Sequence, residues 1–215
     1  MTEINLHLGD CMDAMSKMED NAYDLAIVDP PYGIDIAKGG KVGGNNAGKA
    51  KDYGSKEWDS AIPTSEYFSQ LRRVSTNQII WGWNYFVCYL NECPSYIVWD
   101  KDNSGNFSDC ESAWCSKKGG ARMFKWRWNG MVQQDMKNKE VRIHPTQKPV
   151  ALYKWLLKNY AKEGDKILDT HFGSGSIAIA CHDGGFSLDA WEIDKEYHAA
   201  AVNRYNTHIS QLRLL

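Results

Sequence analysis

Apolar positions along the chain fall into short blocks that switch between two periods. Alternating or unbroken apolar runs predict strands at Ile4-Asn5-Leu6-His7-Leu8, Tyr23 to Val28, Gln78 to Trp81, Ser95 to Trp99, Glu111 to Cys115, Lys166 to Asp169 and Phe186 to Trp191. Between them, helical spacing predicts a short helix with Cys11, Ala14, Met15 and Met18 inward, then Thr64 to Ser75, Asn84 to Leu90, and a helix with Val150, Tyr153, Leu156, Leu157 and Tyr160 on one side and Gly164 just past its end. Two more follow, Ile177 to His182 and a last helix carrying Tyr197, Ala201, Val202 and Tyr205. Strands alternating with helices imply an α/β sheet whose parallel strands end on one edge. The first unit, closed by Gly9-Asp10 with Asp10 as helix cap, predicts that Asp10 and Asp29 end adjacent strands and lie close together.

Two segments have no period. Residues 33–60 carry seven glycines and hardly a large apolar side chain before Tyr53. A loop of that length in a compact domain is a lid, a binding loop or a disordered insertion. Residues 117–143 are the second, with Phe124 to Trp128 alternating basic and aromatic. At 215 residues, with no internal repeat or linker, the chain is expected to form a single domain spanning 1–215. No apolar run nears the roughly 20 residues of a membrane span, and the amino terminus has no signal-peptide pattern, so a cytoplasmic protein is expected. The six cysteines show no metal-ligand spacing and read as reduced thiols; no metal is expected.

The net charge of −2 argues against a general nucleic-acid binder, but its distribution does not. Lys117, Lys118, Arg122, Lys125, Arg127, Lys137, Lys139 and Arg142 crowd the second aperiodic segment, and Lys38, Lys41, Lys49 and Lys51 the first. Both segments are candidate phosphate-facing surfaces, against the alternative of a solvated charged face.

Candidate chemistry sits at strand ends. Asp29-Pro30-Pro31-Tyr32 follows a buried strand, and two prolines hold the turn extended. That turn offers a carboxylate, a carbonyl and a ring to one small volume. The Asp29 carboxylate and Pro30 carbonyl suit the two hydrogens of a nucleobase amine, and Tyr32 suits stacking on a base taken out of its duplex. Downstream, Ile167 to Asp169, Phe172-Gly173-Ser174-Gly175, a helix and a strand ending at Glu192 form half of a dinucleotide-type site. Its missing third glycine favours a nucleoside cofactor without a pyrophosphate, with Glu192 on the ribose hydroxyls.

In joint order, Gly9-Asp10-Cys11, Asp29-Pro30-Pro31-Tyr32, Trp81 to Phe86, Trp99-Asp100-Lys101, His144 to Pro149, Asp169 to Ser176 and Glu192-Ile193-Asp194 resemble the S-adenosylmethionine (SAM)-dependent amino-methyltransferases that act on DNA. The catalytic motif precedes the glycine motif, the permuted order of that family's beta class, and the compact chain looks most like phage or prophage enzymes. The resemblance implies a circularly permuted, doubly wound, mostly parallel seven-stranded Rossmann-like sheet, with the lid at about 33–60 and a target-recognition insertion at about 102–143. It implies base flipping and methyl transfer from SAM to the exocyclic amine of adenine in double-stranded DNA, with cytosine as the runner-up. Asp29, Pro30, Pro31 and Tyr32 would be catalytic, with Asp29 also facing the cofactor. Asp169, Phe172, Gly173, Ser174 and Gly175 would line the methionine end of SAM, and Glu192 and Asp194 its nucleoside side. His144, Thr146 and Lys148 would close over the methionine carboxylate, and Asp10 would lie by the cofactor's adenine or the catalytic pocket. Thr170 and His171 depart from the family's Pro-Phe, and the short insertion would suit a homodimer or a site of few base pairs.

Overall fold

In the computed structural model the described residues are 2–36, 38, 41–42, 51–52, 58–90, 92–103, 108–129 and 132–212. Eight strands build one sheet: β1 (Ile4–Leu8), β2 (Tyr23–Val28), β3 (Ser75–Trp81), β4 (Ser95–Asp100), β5 (Cys110–Cys115), β6 (Arg122–Lys125), β7 (Lys166–Asp169) and β8 (Ser187–Glu192). Their spatial order is β1-β8-β7-β2-β3-β5-β4-β6, and every neighbouring pair is parallel except the two that β5 makes with β3 and β4. The mostly parallel, doubly wound sheet is therefore present. It has one strand more than the family pattern implies, because β6 adds an edge strand from a segment with no apolar period.

Helices α1 (Cys11–Met15) and α2 (Ser65–Val74) cover one face; α3 (Val150–Tyr160), α4 (Ser176–Gly184) and α5 (Lys195–Leu212) cover the other. The strand pleat explains how both faces are filled. Leu25, Ile27, Ile79, Ile97 and Ile167 join Leu152, Leu156 and Ile177 in one core, while Ala26, Val28, Ile80, Trp114 and Leu168 join Met15, Phe68 and Leu71 in the other. Burying each such large aliphatic side chain contributes about 1.5–3 kcal/mol.

The same alternation assigns the polar residues at the strand ends. Asp29 continues the Leu25–Ile27 side, Asp169 the Ile167 side, and Glu192 the Leu188–Ala190 side, all on the face covered by α3 and α4. Because β5 runs backwards, its first residues lie at the edge where the parallel strands finish. Glu111, in phase with Ala113 and Cys115, joins the other carboxylates there.

Two expectations fail. Asp10 and Asp29 are not neighbours: β8 and β7, from far downstream, lie between β1 and β2. Three strand spacings separate their ends by about 14 Å. Asn84 to Leu90 is not a helix either, and only a 3-10 turn forms at Trp83–Tyr85. Gly82, at φ 69°, swings the chain sharply into that turn. Within the supposed lid, Lys41–Val42 pairs antiparallel with Lys51–Asp52. No helix among the described residues is long and apolar enough to cross a membrane.

Candidate active site

Asp29 stands just past β2, and its two carboxylate oxygens are both engaged. Oδ1 accepts the Tyr32 hydroxyl at 2.5 Å, and Oδ2 accepts the Lys148 ammonium. The Tyr32 ring packs against Gly82: a methyl group there would sit 2.1 Å from its Cε1, so only glycine fits beside the ring. Tyr85, from the 3-10 turn, stacks on Tyr32 with centroids 5.0 Å apart and planes 13° from parallel. The buried Asp59 fixes the backbone of this corner by accepting the Tyr32 and Gly33 amides at 2.7 and 3.0 Å and the Ile36 amide at 3.0 Å. Three amide donors on one buried carboxylate make a rigid knot at the root of the glycine-rich loop.

Lys148 faces the Asp29 corner. The turn before α3 aims its buried side chain at the catalytic corner, where Nζ meets Asp29 and lies 3.0 Å from Oε2 of Glu111. Glu111 in turn pairs with Lys101, so Lys101, Glu111, Lys148 and Asp29 alternate in sign. Burial pushes the Glu111 carboxyl up, but the two lysines outweigh it and hold it at about 2. Burial raises Asp29 above the usual carboxylate range, with Lys148 opposing the rise and Glu111 adding to it. For Lys148 burial favours the neutral amine, yet the paired carboxylates keep its pKa above that of a free lysine.

The glycine motif occupies the neighbouring strand ends. Gly173 and Gly175 adopt φ values of 51° and 72°, and a Cβ on Gly175 would lie 2.9 Å from the buried Phe172 ring. The Gly173 amide donates to Glu192 Oε2 at 2.9 Å, tying the turn to β8. Asp169 accepts the His171 amide at 2.9 Å and, among the described residues, has no ion pair. Burial chiefly, then Asp29 and Glu192, push its carboxyl up to about 8, and burial also raises Glu192. His144 is buried beside this turn, edge-on to Tyr197 at 4.3 Å and within reach of Thr146 at 3.1 Å. Burial and the nearby Lys148 lower His144 to about 3, leaving it neutral. Ser174 and Ser176 are held by Arg204, which also binds Glu140, and Ser176 donates to the Lys148 carbonyl at 2.7 Å. A recess lined by Gly9, Asp10, Cys11, Thr170, His171, Glu192 and Ile193 opens alongside. Asp10 lines this recess and also caps α1 through the Met12 amide at 2.7 Å. Asp194 caps α5, accepting the Glu196 and Tyr197 amides.

The basic residues do not form one surface. Lys117 and Lys118 follow the end of β5 that faces away from the active edge, and Lys117 donates to the Tyr160 carbonyl at 2.5 Å. Arg122 reaches Asn159, near the carboxyl end of α3 on that same far side. The antiparallel course of β5 carries these three away from the edge where Asp29 and Glu192 stand. Lys125 and Arg127 stand at the active edge but share Asp102, and Arg142 bonds the Pro145 carbonyl at 3.0 Å and covers Trp128. Lys137 and Lys139 are exposed. Lys38 is exposed beside Asp35, while Lys49 and the side chains of Lys41 and Lys51 lie outside the described residues.

Sequence reading missed Glu111, Lys101, Asp59 and Gly82. Glu111 had a signal, a lone acid opening an apolar strand; Gly82 and Lys101 fell inside the Trp81 to Phe86 and Trp99-Asp100-Lys101 motifs with no role given them, and Asp59 had none beyond residue type.

Residues 99–203 match the model of a family described as DNA methylase, the N6/N4 type. The chain is similar to the putative methylase YubD of Escherichia coli, at 24% identity over 91% of this chain and 87% of that one. It is also similar to the type II methyltransferase M.HpaI of Haemophilus parainfluenzae, at 25% identity over 92% and 72%. Among solved structures, the M1.HpyAVI–SAM complex superposes with a TM-score of 0.59 at 20% identity, covering 94% of this chain and 99% of that one. PvuII DNA methyltransferase, described as cytosine-N4-specific, gives 0.62 at 13% identity, covering 95% and 87%. These structural likenesses establish the fold.

Proposed function

We propose that the chain is a SAM-dependent DNA methyltransferase of the N6/N4 type, a single domain that acts on the exocyclic amine of adenine in a flipped base. The observation that carries this reading is the junction of β2 and β7: adjacent parallel strands end in the Asp29 corner and the glycine turn on one face of one edge. A nucleobase held by the first would meet a donor held by the second.

The residues present fit SAM. Gly173 and Gly175 carry no side chain at their two positions in the turn, and Glu192, at the end of β8, would take the ribose hydroxyls. Asp169 is a buried carboxylate with no ion pair among the described residues, which suits a cationic ligand. Bound there, SAM supplies a methyl group on a sulfonium sulfur. The chain's own task is the amine. Its lone pair is delocalised into the ring, and accepting its hydrogens on Asp29 and the Pro30 carbonyl localises that pair on nitrogen. Asp29 then takes the proton that the methylated nitrogen loses and passes it to solvent. Orientation and fixed dipoles supply most of the rate.

The choice of adenine rests on Asp rather than Ser before Pro30-Pro31-Tyr32. The likeness to a cytosine-N4-specific enzyme keeps cytosine as a second reading. Double-stranded DNA would approach over the active edge, with Lys137 and Lys139 as exposed cations and the segment 33–60 as its lid. The test is to incubate the protein with labelled SAM and duplex DNA, digest to nucleosides and identify the labelled one. Label in N6-methyldeoxyadenosine is expected. Label in N4-methyldeoxycytidine would move the reading to cytosine, and absence of label from DNA would overturn it.

A further inference from the structure

The catalytic corner as it stands cannot receive the amine. Both Asp29 oxygens are occupied, Oδ1 by the Tyr32 hydroxyl and Oδ2 by Lys148. An arriving amine hydrogen needs one of them. Tyr32 is pinned by its contact with Gly82 and by the Asp59 knot behind its backbone. Lys148 is the group with somewhere to go, because a second carboxylate already lies 3.0 Å from its nitrogen. A buried ammonium deprived of its only partner is costly, whereas one transferred between two carboxylates stays paired throughout.

The geometry points to Glu111 as a positioning residue for methyl transfer: it takes the Lys148 ammonium from Asp29 as the target amine binds, freeing an Asp29 oxygen to accept an amine hydrogen. This rests on the amine-methylating reading above. Lys101 completes the device by holding the other Glu111 oxygen, so that Glu111 stays ionised and in place. The four groups sum to zero charge in either arrangement, and a neutral base can enter without leaving a buried charge uncompensated. The fold supplies Glu111 by reversing β5. A parallel strand in that position would present its last residue at the edge, and Glu111 is the second of β5.

The other groups around Asp29 are Tyr67 of α2, Tyr153 of α3 and Asp169 of β7. Both tyrosines are held well above their usual range by burial, so neither titrates with Asp29. The experiment compares wild type, Glu111→Gln, Glu111→Asp and Lys148→Gln in single-turnover methylation at saturating SAM and DNA, from pH 5 to 9. SAM affinity is measured on the same samples. In Glu111→Gln the ammonium has only Asp29, so the plateau rate should fall on the order of 10²-fold. Its acid limb should move to lower pH, because an undivided cation stabilises the Asp29 carboxylate. In Lys148→Gln, Asp29 faces Glu111 without a cation, and the limb should move to higher pH. Glu111→Asp should recover part of the rate. SAM affinity should change little in Glu111→Gln, which separates positioning from a damaged fold. Wild-type rate and limb in Glu111→Gln, with wild type active, would overturn this proposal alone. Wild type transferring no methyl group to DNA would overturn the functional reading and this proposal with it.

Discussion

The two halves of the active edge treat buried charge in opposite ways. At the end of β2 the carboxylates are paired: Asp29 and Glu111 share Lys148, and Lys101 completes the chain. On the next two strands, β7 and β8, Asp169 and Glu192 have backbone amides but no ion pair among the described residues, and burial pushes both upward. The difference matches the charges of the two proposed ligands. A neutral base enters the half that is already neutral. A donor carrying a sulfonium and an ammonium enters the half whose carboxylates lack cations, and it supplies what those acids are missing.

The sharpest way to break the comparison is at the residue that only one half needs. Asp29→Ala should lower methyl transfer on the order of 10³-fold or more in single-turnover assays. Gly82→Ala should come next. Its new methyl group would collide with the Tyr32 ring, and displacing a reacting group by about 1 Å costs on the order of 10²-fold. The same rate assay checks it, with SAM affinity kept.

On the cofactor side the signature is in stability. Asp169 is raised to about 8 in the folded chain, against about 4 for an unfolded carboxyl. The folded protein therefore holds a proton that the unfolded chain has released, and Asp169 subtracts stability as pH climbs from about 4 to about 8. Without SAM, Asp169→Asn should melt higher than wild type at pH 8, and the gap should close toward pH 4. Thermal scans across that range check it. The smallest effect concerns DNA. Neutralising Lys137 and Lys139 should reduce the salt dependence of DNA binding by about one unit of slope for each phosphate no longer neutralised. Neutralising Lys117 and Lys118 should leave the slope unchanged.

The cofactor half was the more legible from sequence, for a physical reason. Asp169, the glycine turn and Glu192 lie within one strand–turn–helix–strand unit, where local spacing dictates geometry. The catalytic half is assembled from β2, β5 and the turn before α3, separated in the chain by scores of residues. Asp29 and Tyr32 could be read because prolines fix them in a short motif. The pairing of Lys148 with Glu111 could not, since it depends on the direction of β5, and apolar alternation looks the same in a parallel and an antiparallel strand. The same ambiguity hides which edge of the sheet Lys117, Lys118 and Arg122 stand at. The misplacement of Asp10 beside Asp29 has a related origin: strands adjacent in sequence need not be adjacent in the sheet, and here β7 and β8 come between.

The division between the halves is tested most directly by titrating SAM calorimetrically into wild type, Asp29→Ala and Asp169→Asn, with methyl transfer to DNA measured on the same samples. Asp29→Ala should bind SAM with affinity close to wild type while transferring almost nothing, and Asp169→Asn should lose affinity. Loss of SAM binding in Asp29→Ala, or transfer persisting at the wild-type rate, would contradict it.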